Sequence, residues 1–507
     1  MLIINEKDHF LAKIEYEEQD YNDFIKLYSY FSIKDPKLSY TAKVRSGASD
    51  GKIRFVKKNG SFLKGLLNKI VKFLDKEEIE YKVNYSLVDD TVSKEEIFEF
   101  IDSISLPFKP YEFQKEGVYE AVRNRQKVII SATGSGKSCI LYLTIRYLLT
   151  KNEQILLVVP DVGLTLQMYN DFKEYAKNDK EHLKDFDSIY HRIFAGQDKD
   201  SNHKVIISTW QSIYDLDKSH NLFNKTTVVL SDECHLCSSS SYHDIFTKAK
   251  NVKKRIGVTG TLPTDLIDQL KLEGIFATSK RIISGRGLIE LGLATESVVQ
   301  PIILKYDEYI INKVYKAKDW RYEQKTIIES ESRLEFLVNF ITKLANKQKG
   351  NVIVLFKNVE YGDKLYETIK ESHENTFLIK GSINSKRREE IRSNLDNMNN
   401  AVLIGTDKIV STGLNIKSLR YMVNTQNGKS EIKSIQSIGR LMRLFDGKDS
   451  STLFDIVDDL NYKTRPSKNY PKGNIKECYV WKWYQERLES YSKYDFIVKN
   501  SVKFSLD

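Results

Sequence analysis

Two series of short, almost wholly apolar segments constrain the fold of this chain more than any other feature. Helical segments separate the members of each series. The first series comprises residues 127–131, 154–159, 204–208, 227–231 and 255–259, and the second comprises 351–356, 376–379, 401–405, 420–424 and 453–457. Continuous runs of Val, Ile and Leu of this length are typical of strands buried on both faces of a parallel sheet. We therefore predict an α/β protein with two tandem parallel-sheet domains.

The segment before the first series has a different pattern. Residues 11–16 and 52–56 are predicted strands, and apolar residues recur at helical spacing over 63–74. This pattern indicates a small α+β domain over residues 1–105, and two prolines mark a linker at 103–110. The domains predicted after it are a first α/β domain over 106–296, a second over 297–470 and a C-terminal helical extension over 471–507.

An eight-residue motif follows the first strand of the first series and precedes a predicted helix. It reads Ser-Ala-Thr-Gly-Ser-Gly-Lys-Ser from Ser131 to Ser138. Glycines between a strand and a helix let successive backbone N–H groups surround a phosphate, and the helix start adds its positive dipole end. We expect Lys137 to contact the β- and γ-phosphates of ATP and Ser138 to bind Mg²⁺. The predicted nucleotide-binding residues of this loop are Thr133, Gly134, Ser135, Gly136, Lys137 and Ser138.

An acidic pair, Asp232 and Glu233, ends the strand predicted at 227–231. Because Mg²⁺ prefers carboxylate oxygens, we expect Asp232 to hold the metal and Glu233 to orient and deprotonate the attacking water. Acid pairs at strand ends are common, so the weight of this assignment comes from the phosphate loop upstream. Cys234 and Cys237 follow as a C-x-x-C pair, but a zinc site needs a second pair of ligands at matching spacing. We interpret them as core residues.

A third motif, Gln436-Ser-Ile-Gly-Arg440-Leu-Met-Arg443, lies in the second predicted domain. An arginine brought to the γ-phosphate by domain closure stabilises transition-state charge, because its fork matches phosphate oxygens. Gln436, Arg440 and Arg443 are therefore predicted catalytic residues. The alternative is a pair of surface arginines engaged in salt bridges.

Net charge is +10, from 79 basic and 69 acidic side chains, and basic residues concentrate at 52–76. A basic patch in a nearly neutral domain is typical of phosphate-backbone binding. The predicted nucleic-acid contacts in this patch are Lys57, Lys58, Lys64 and Lys69. The alternative is a solvated helix face.

The sequence shows no signal peptide and no apolar stretch that would span a membrane. Four cysteines suit a reducing compartment. We therefore expect a cytoplasmic protein, in the host cytoplasm if it is viral.

The three motifs, in this order, resemble those of superfamily 2 helicases, and further segments extend the resemblance over about 108–460. Residues 110–114 resemble the adenine-reading motif, which implies that Gln114 contacts the adenine edge and Tyr111 stacks nearby. Residues 160–168 and 208–211 resemble DNA-contacting motifs, which implies contacts from Gln167, Thr209 and Trp210.

Two more segments resemble motifs that couple the nucleotide to nucleic acid. Thr259, Gly260 and Thr261 stand at the coupling motif, which also involves His235. Residues 405–415 resemble a motif that would place Thr406 on nucleic acid and Gly413 on the nucleotide, although Thr412 stands where the family has arginine.

The resemblance implies two RecA-like domains, with ATP and Mg²⁺ as cofactors. Asp-Glu-Cys-His with Gln-x-x-Gly-Arg-x-x-Arg differs from the DEAD-box RNA helicases and is similar to DNA repair helicases, especially the recombination helicases of phages. It implies an ATP-dependent DNA helicase or translocase that unwinds or branch-migrates forks, Holliday junctions, D-loops and R-loops in DNA recombination, repair and replication. The expected partners are single-stranded and branched DNA, RNA–DNA hybrids, and recombination or single-strand-binding proteins. We expect a monomer that does not bind membranes.

Three alternatives stay open. One is a viral RNA helicase that releases transcripts, and a second is the duplex-translocating subunit of a restriction-type system. The third is a clamp that binds ATP without hydrolysing it, which the intact acidic pair disfavours.

Overall fold

The computed structural model describes residues 1–506 except 90, 195, 348–349, 381–389, 392, 396, 407–415, 417, 427, 429–440, 442–447, 449, 467–472 and 495. The chain divides into two compact units. The first comprises Met1–Ser131 and Ser135–Ile283, and the second comprises Ala132–Gly134 and Ser284–Asp507. None of the described helices combines the length and the apolar character needed to cross a bilayer.

The N-terminal part of the first unit is a small sheet with helices against it. Its four strands lie in the order Ser61–Leu63, Leu11–Glu15, Leu2–Glu6 and Tyr81–Val83, the last pair being parallel and the others antiparallel. A separate two-stranded ribbon pairs Ser32–Lys34 with Lys52–Arg54. The helices of this part are Tyr21–Tyr30, Ala42–Arg45 and Leu67–Lys76, whereas the next helix, Lys94–Ser103, packs into the core of the larger sheet that follows.

A seven-stranded parallel sheet forms the rest of the first unit. Its strand order is Ser279–Ile283, Gln126–Ser131, Lys254–Thr259, Val228–Asp232, Ile155–Val159, Val205–Thr209 and Tyr190–Ile193. Alternate side chains of one central strand enter two separate cores, since Leu157 lies in one and Leu156 in the other. The helices around this sheet are Glu112–Arg123, Lys137–Thr150, Val162–Tyr175, Lys180–Lys184, Phe186–Ile189, Trp210–Tyr214, Asn221–Lys225, Ser240–Lys248 and Leu266–Phe276.

The N-terminal part packs tightly against the helix Leu266–Phe276. A Cβ added to Gly65 would lie 1.9 Å from the carbonyl oxygen of Glu273, so only glycine allows this approach. Lys69 Nζ also lies 3.3 Å from Glu273 Oε2. The buried core of the N-terminal part includes Ile267 and Leu270 of the same helix. The helix Leu266–Phe276 therefore contributes directly to the core of the N-terminal part.

The second unit contains an eight-stranded parallel sheet. Seven strands lie in the order Thr376–Ile379, Val402–Thr406, Asn351–Phe356, Leu419–Asn424, Ser450–Asp459, Glu296–Lys305 and Ile497–Val498, and Val502–Ser505 also pairs with Glu296–Lys305. A short antiparallel pair joins Tyr462–Lys463 to Ile475–Lys476. The described helices of this unit are Gly285–Glu290, Glu308–Ala317, Trp320–Glu329, Glu331–Ala345, Val359–Ser372 and Tyr479–Lys493.

Pro301 lies inside the strand Glu296–Lys305, where a missing N–H would normally break a ladder. The strand tolerates it because the neighbours on one side are interrupted at this point. Ile497–Val498 pairs with Val298 and Val299, and Val502–Ser505 pairs only from Ile302 onward.

Two ion pairs are fully buried in the second unit. Arg333 Nε donates to Asp458 Oδ1 at 2.8 Å, and the two side chains are 1% and 0% exposed. Arg487 Nε donates to Asp455 Oδ2 at 3.0 Å and ties the helix Tyr479–Lys493 to the sheet. Further hydrogen bonds complete the first pair, because Arg333 also donates to Thr425 O and Asp458 accepts from Tyr306 OH.

The predicted fold class is confirmed: the chain has two parallel-sheet α/β units and a small N-terminal α+β part. Nine of the ten predicted apolar strands are observed within one residue at each end, and the tenth extends to Ser450–Asp459. The helix predicted at 63–74 is observed at Leu67–Lys76, because a strand and a 3₁₀ turn occupy 61–66. The domain boundaries remain predictions, with the unit division falling at 283 rather than 296.

Candidate nucleotide site

The phosphate loop has the local geometry that its glycines predict. The strand Gln126–Ser131 leads into it, and the helix begins at Lys137. Gly134 and Gly136 have φ angles of +85° and +80°, in the left-handed region that favours glycine. A Cβ on Gly136 would lie 2.4 Å from Gln114 Nε2. Glycine at 136 therefore serves both the turn and the contact with Gln114.

Gln114 is buried against the phosphate loop. Its Nε2 donates to Ser135 O at 2.9 Å, and its Oε1 accepts from Tyr111 N at 2.9 Å. These bonds cap the helix Glu112–Arg123 and attach it to the loop. Tyr111 is 47% exposed and stacks on Phe113, with ring centroids 5.5 Å apart. The structure thus places Gln114 on the loop backbone and leaves the Tyr111 ring accessible to a base.

The acidic pair lies at the carboxyl end of the strand Val228–Asp232, in contact with the loop lysine. Lys137 Nζ is 3.2 Å from Glu233 Oε1, and the Glu233 N–H donates to Asp232 Oδ1 at 2.9 Å. Glu233 has a φ of +47°, a conformation that costs a non-glycine residue on the order of 1–3 kcal/mol. Backbone strain at this position accompanies the alignment of its carboxylate with Lys137.

The two carboxyl groups have opposite pKa shifts. Burial, with the neighbouring charge of Glu233, raises the pKa of Asp232 to about 7. Burial also acts to raise the pKa of Glu233, but the Lys137 ammonium and the hydrogen bond from His235 outweigh it, so this pKa is lowered. A cation would therefore stabilise the charged form of Asp232, whereas Glu233 is already ionised.

The predicted coupling residues form a hydrogen-bonded cluster beside Glu233. His235 Nδ1 lies 2.9 Å from Thr259 Oγ1 and 3.3 Å from Glu233 Oε2. Thr259 Oγ1 donates to Thr261 O at 2.9 Å, across the intervening buried Gly260. His235 thus links Glu233 to Thr259, the last residue of the strand Lys254–Thr259.

One residue of the site was not predicted from the sequence. The Tyr175 hydroxyl lies 2.8 Å from Ser138 Oγ, and burial raises the pKa of Tyr175. Tyr175 ends a helix 37 residues further along the chain, so no local pattern indicated the contact. Ser138 Oγ and the Asp232 carboxylate are hard oxygen donors, which fit Mg²⁺.

The predicted DNA-contacting residues of the two units differ in exposure. Gln167 is exposed on the helix Val162–Tyr175, and Thr406 is half-buried at the end of its strand. Thr209 is 3% exposed, with Oγ1 lying 2.8 Å from Ser212 Oγ. Trp210 is half-buried and packs on Tyr242 with ring centroids 5.5 Å apart. The indole therefore has a packing role on its inner face.

The basic patch is only partly on the surface. Lys57 and Lys58 are exposed, as expected. Lys64 was predicted to contact nucleic acid at the surface, but it is only 6% exposed and pairs with Glu6. The 3₁₀ turn at 64–66 directs its side chain inward. Lys69 pairs with Glu273.

Four predicted site residues lie outside the described part of the chain: Gly413, Gln436, Arg440 and Arg443. Cys234 and Cys237 are fully buried free thiols whose pKa values burial raises, as expected for core residues. Within the described residues, no group of His, Cys, Asp and Glu side chains is arranged to hold a metal ion on its own.

Comparison with known proteins matches three family models along the chain. They are "DNA helicase UvsW, N-terminal" at residues 3–86, "Type III restriction enzyme, res subunit" at 95–264 and "Helicase conserved C-terminal domain" at 332–445. The "ATP-dependent DNA helicase uvsW" of Enterobacteria phage T4 is 27% identical over 504 residues, covering 96% of this chain and 97% of that protein. The chain belongs to the superfamily 2 helicases.

Solved structures support the same fold for this helicase. The crystal structure of T4 UvsW covers 100% of both chains with a TM-score of 0.50 at 24% identity. A fragment of a putative HsdR subunit of a type I restriction enzyme from Vibrio vulnificus covers 98% of this chain and 85% of the fragment, with a TM-score of 0.58 at 16% identity. The helicase is an ATPase that uses a nucleotide and acts on nucleic acid.

Proposed function

We propose that this helicase acts on DNA, and that it unwinds or branch-migrates forks, Holliday junctions, D-loops and R-loops in recombination, repair and replication. The contact between Lys137 and Glu233 carries the catalytic part, because it joins the phosphate loop to the acidic pair at 3.2 Å. Likeness to a phage DNA helicase along 96% of the chain supports DNA as the substrate. The proposed setting is the cytoplasm of an infected host.

Lys137 is proposed to exchange Glu233 for phosphate when ATP binds. In the structure its ammonium neutralises the Glu233 carboxylate. The Lys137 ammonium would then bind phosphate oxygens in place of Glu233. Glu233 would stay in contact with His235 and could accept a hydrogen bond from water. Glu233 then orients the water and takes its proton as the phosphoryl group is transferred. The nucleotide thereby activates the base that hydrolyses it.

Ser138 and Asp232 are the residues that would hold Mg²⁺. The metal would neutralise phosphate charge when bound. Tyr175 can keep its hydrogen bond to Ser138 Oγ and orient it, because the serine oxygen has a second lone pair that would remain for the metal. Thr133, Gly134, Ser135 and Gly136 supply the backbone of the phosphate cradle, with Gly413 as a proposed contact from the second unit.

Gln436, Arg440 and Arg443 are proposed to complete the site when the two units close on ATP. The guanidinium groups of Arg440 and Arg443 would stabilise charge on the transferred phosphoryl group, an effect on the order of 10³–10⁵ in rate for such arginines. Hydrolysis would then release them, and the cycle of closing and opening would move the units along DNA.

The proposed DNA contacts bind the sugar–phosphate backbone and not particular bases. They comprise Gln167, Thr209, Trp210, Thr406, Lys57 and Lys58. Such contacts bind DNA without sequence specificity, and the affinity falls strongly as the salt concentration rises. Recombination or single-strand-binding proteins are further proposed partners.

The test compares two catalytic variants with a matched control. Lys137→Ala and Glu233→Gln should lower DNA-stimulated ATP hydrolysis by at least about 10²-fold, because they remove the phosphate contact and the base. The control Lys173→Ala removes an exposed lysine paired with Asp187 and should leave turnover unchanged. DNA affinity, measured by fluorescence anisotropy, should be retained in all three. DNA-stimulated turnover at the normal rate in both catalytic variants would refute the site.

The nucleic acid is tested by a panel of single strand, duplex, fork, four-way junction, RNA and RNA–DNA hybrid. We expect stimulation of ATP hydrolysis by DNA and unwinding of the branched substrates. Stimulation by RNA alone would favour a transcript-releasing RNA helicase. The fold shared with the HsdR fragment makes a duplex translocase the second candidate. Displacement of a third strand from a triplex without fork unwinding would support it.

A further inference from the structure

A cavity of about 430 Å³ lies in the first unit, away from the nucleotide site. His9, Lys64 and Tyr85 of the N-terminal part form one side, and Gln126 and Arg255 form the other. Gln126 and Arg255 are neighbours at the amino-terminal edge of the parallel sheet, since they pair in register near the starts of adjacent strands. The phosphate loop follows the carboxyl end of the same Gln126–Ser131 strand. The two sites are thus at opposite edges of the sheet.

Several buried polar atoms in this wall lack hydrogen-bond partners within the described residues. Arg255, 1% exposed, donates from Nη1 to His9 O at 2.9 Å, but its Nε and Nη2 have no acceptor. Both amide atoms of Gln126, which is 4% exposed, are unpartnered, as are Tyr85 OH and His9 Nε2. Buried polar groups are nearly always hydrogen-bonded, so this concentration of unpartnered atoms indicates a bound molecule.

The charges around the cavity indicate the sign of that molecule. Six basic residues line it, and three carboxylates accompany them. Each carboxylate is already engaged: Glu6 pairs with Lys64, Glu153 lies 3.8 Å from Lys253, and Asp89 accepts from Thr91. The remaining basic residues are Arg125, Lys250, Lys254 and Arg255.

The Arg255 guanidinium is the most deeply buried of these cations. Phe10 covers its face, with Cζ 4.7 Å from the ring centroid. Burial lowers the pKa of Arg255 to about 9 and that of Lys254 to about 8, as expected of cations taken from water without a matching anion. An anion in the cavity would reverse both shifts.

We propose that this cavity binds a small phosphate-bearing anion, with the unpartnered N–H groups of Arg255 as its principal ligands. A guanidinium fork matches phosphate oxygens in a bidentate geometry. The Tyr85 hydroxyl and the Gln126 amide supply further donors. A volume of about 430 Å³ accommodates a molecule of mononucleotide size. Polymeric DNA is disfavoured, because the side chains of Arg255 and Gln126 are almost fully enclosed. The anion would join the N-terminal part to the seven-stranded sheet and so stabilise their contact.

The test titrates pyrophosphate into the full-length helicase at constant ionic strength, with ADP present throughout to fill the phosphate loop. Hydrogen–deuterium exchange should slow at residues 84–89 and 250–255, and the melting temperature should rise with pyrophosphate concentration. Tyr85→Phe removes one unpartnered hydroxyl and should weaken pyrophosphate about tenfold, the usual effect of a hydrogen bond to a charged group. Without pyrophosphate this variant should melt no lower than the wild type, since no hydrogen bond is lost.

Tyr242→Phe is the matched control, because the Tyr242 hydroxyl is also buried without a partner among the described residues but does not line the cavity. It should leave pyrophosphate affinity unchanged. Lys250→Gln, at an exposed position on the rim, should weaken binding without affecting folding. Equal affinities in the Tyr85 and Tyr242 variants, or protection confined to 131–138, would overturn the proposal. Competitive displacement of pyrophosphate by a single-stranded oligonucleotide would show a DNA backbone phosphate at the site and would overturn the assignment to a small anion.

Discussion

Replacing Gly136 by alanine tests the architecture of the phosphate loop in one step. The φ of +80° at this position costs an alanine about 1–2 kcal/mol. The new Cβ would also lie 2.4 Å from Gln114 Nε2, so the amide must move and lose its bond to Ser135 O. Loss of that buried bond adds about 1–3 kcal/mol. We expect a total destabilisation of the first unit, without nucleotide, of about 2–5 kcal/mol.

Gly134→Ala provides the matched control. Its φ is +85°, nearly the same as that of Gly136, but a Cβ at this position would meet no described atom within 4 Å apart from its own chain neighbours. The strain therefore cancels between the two variants. Their difference reports the displacement of Gln114, about 1–3 kcal/mol. In a Gln114→Ala background this difference should fall below about 0.5 kcal/mol, because the displaced group is gone.

The measurement is urea unfolding of the full-length protein without nucleotide, followed by hydrogen exchange in the helix Glu112–Arg123. The same variants can be titrated with a fluorescent ADP, whose affinity should fall in the order Gly134→Ala, then Gly136→Ala. If the two alanine variants unfold at the same urea concentration in both backgrounds, the contact between Gln114 and the loop has no energetic significance and the reasoning is refuted.

Three further outcomes are expected. Arg333→Met should destabilise the second unit by about 3–5 kcal/mol, because it leaves the Asp458 carboxylate buried without its charge partner. A smaller loss in urea unfolding would contradict the importance of this ion pair for stability. Tyr175→Phe removes the hydroxyl that orients Ser138 Oγ and should weaken Mg²⁺-dependent ADP binding about two- to tenfold, with no effect when Mg²⁺ is omitted. Burial lowers the pKa of His182 from 6.5 to about 4, so its contribution to stability is complete above pH 6.5 and is lost as the pH falls towards 4; His182→Gln should flatten the decline in melting temperature over this range.

In the two large parallel sheets, the sequence predicted nine central strands and the edge strand Thr376–Ile379, but it did not predict the other edge strands or the central strand Glu296–Lys305. Central strands such as Ile155–Val159 are apolar at every position, because helices cover both faces. The edge strand Ser279–Ile283 begins with three exposed residues and carries two charges, so it lacks that pattern. Edge strands are often charged, which protects them from pairing with other chains. Local hydrophobicity is therefore a reliable guide only where the sheet is covered.

The candidate site shows a similar division. Lys137, Asp232 and Glu233 belong to contiguous motifs whose spacing could be recognised in the sequence. The Tyr175 contact with Ser138 and the inward position of Lys64 depend on packing between distant segments, which no local pattern records. The contact between Gln114 and Ser135 was likewise indicated only as part of a motif, without its partner atom.

The strand Glu296–Lys305 pairs along all ten of its residues with Ser450–Asp459, and the paired residues are separated by 154 positions in the chain. Bringing such distant segments together costs chain entropy, and this cost precedes any stability gained from the hydrogen bonds between the two strands. Most other strands of this sheet lie between them in sequence, so they have to be arranged before the two can meet in register. Assembly of the second unit is consequently expected to be cooperative and slow compared with a fold built from neighbouring hairpins.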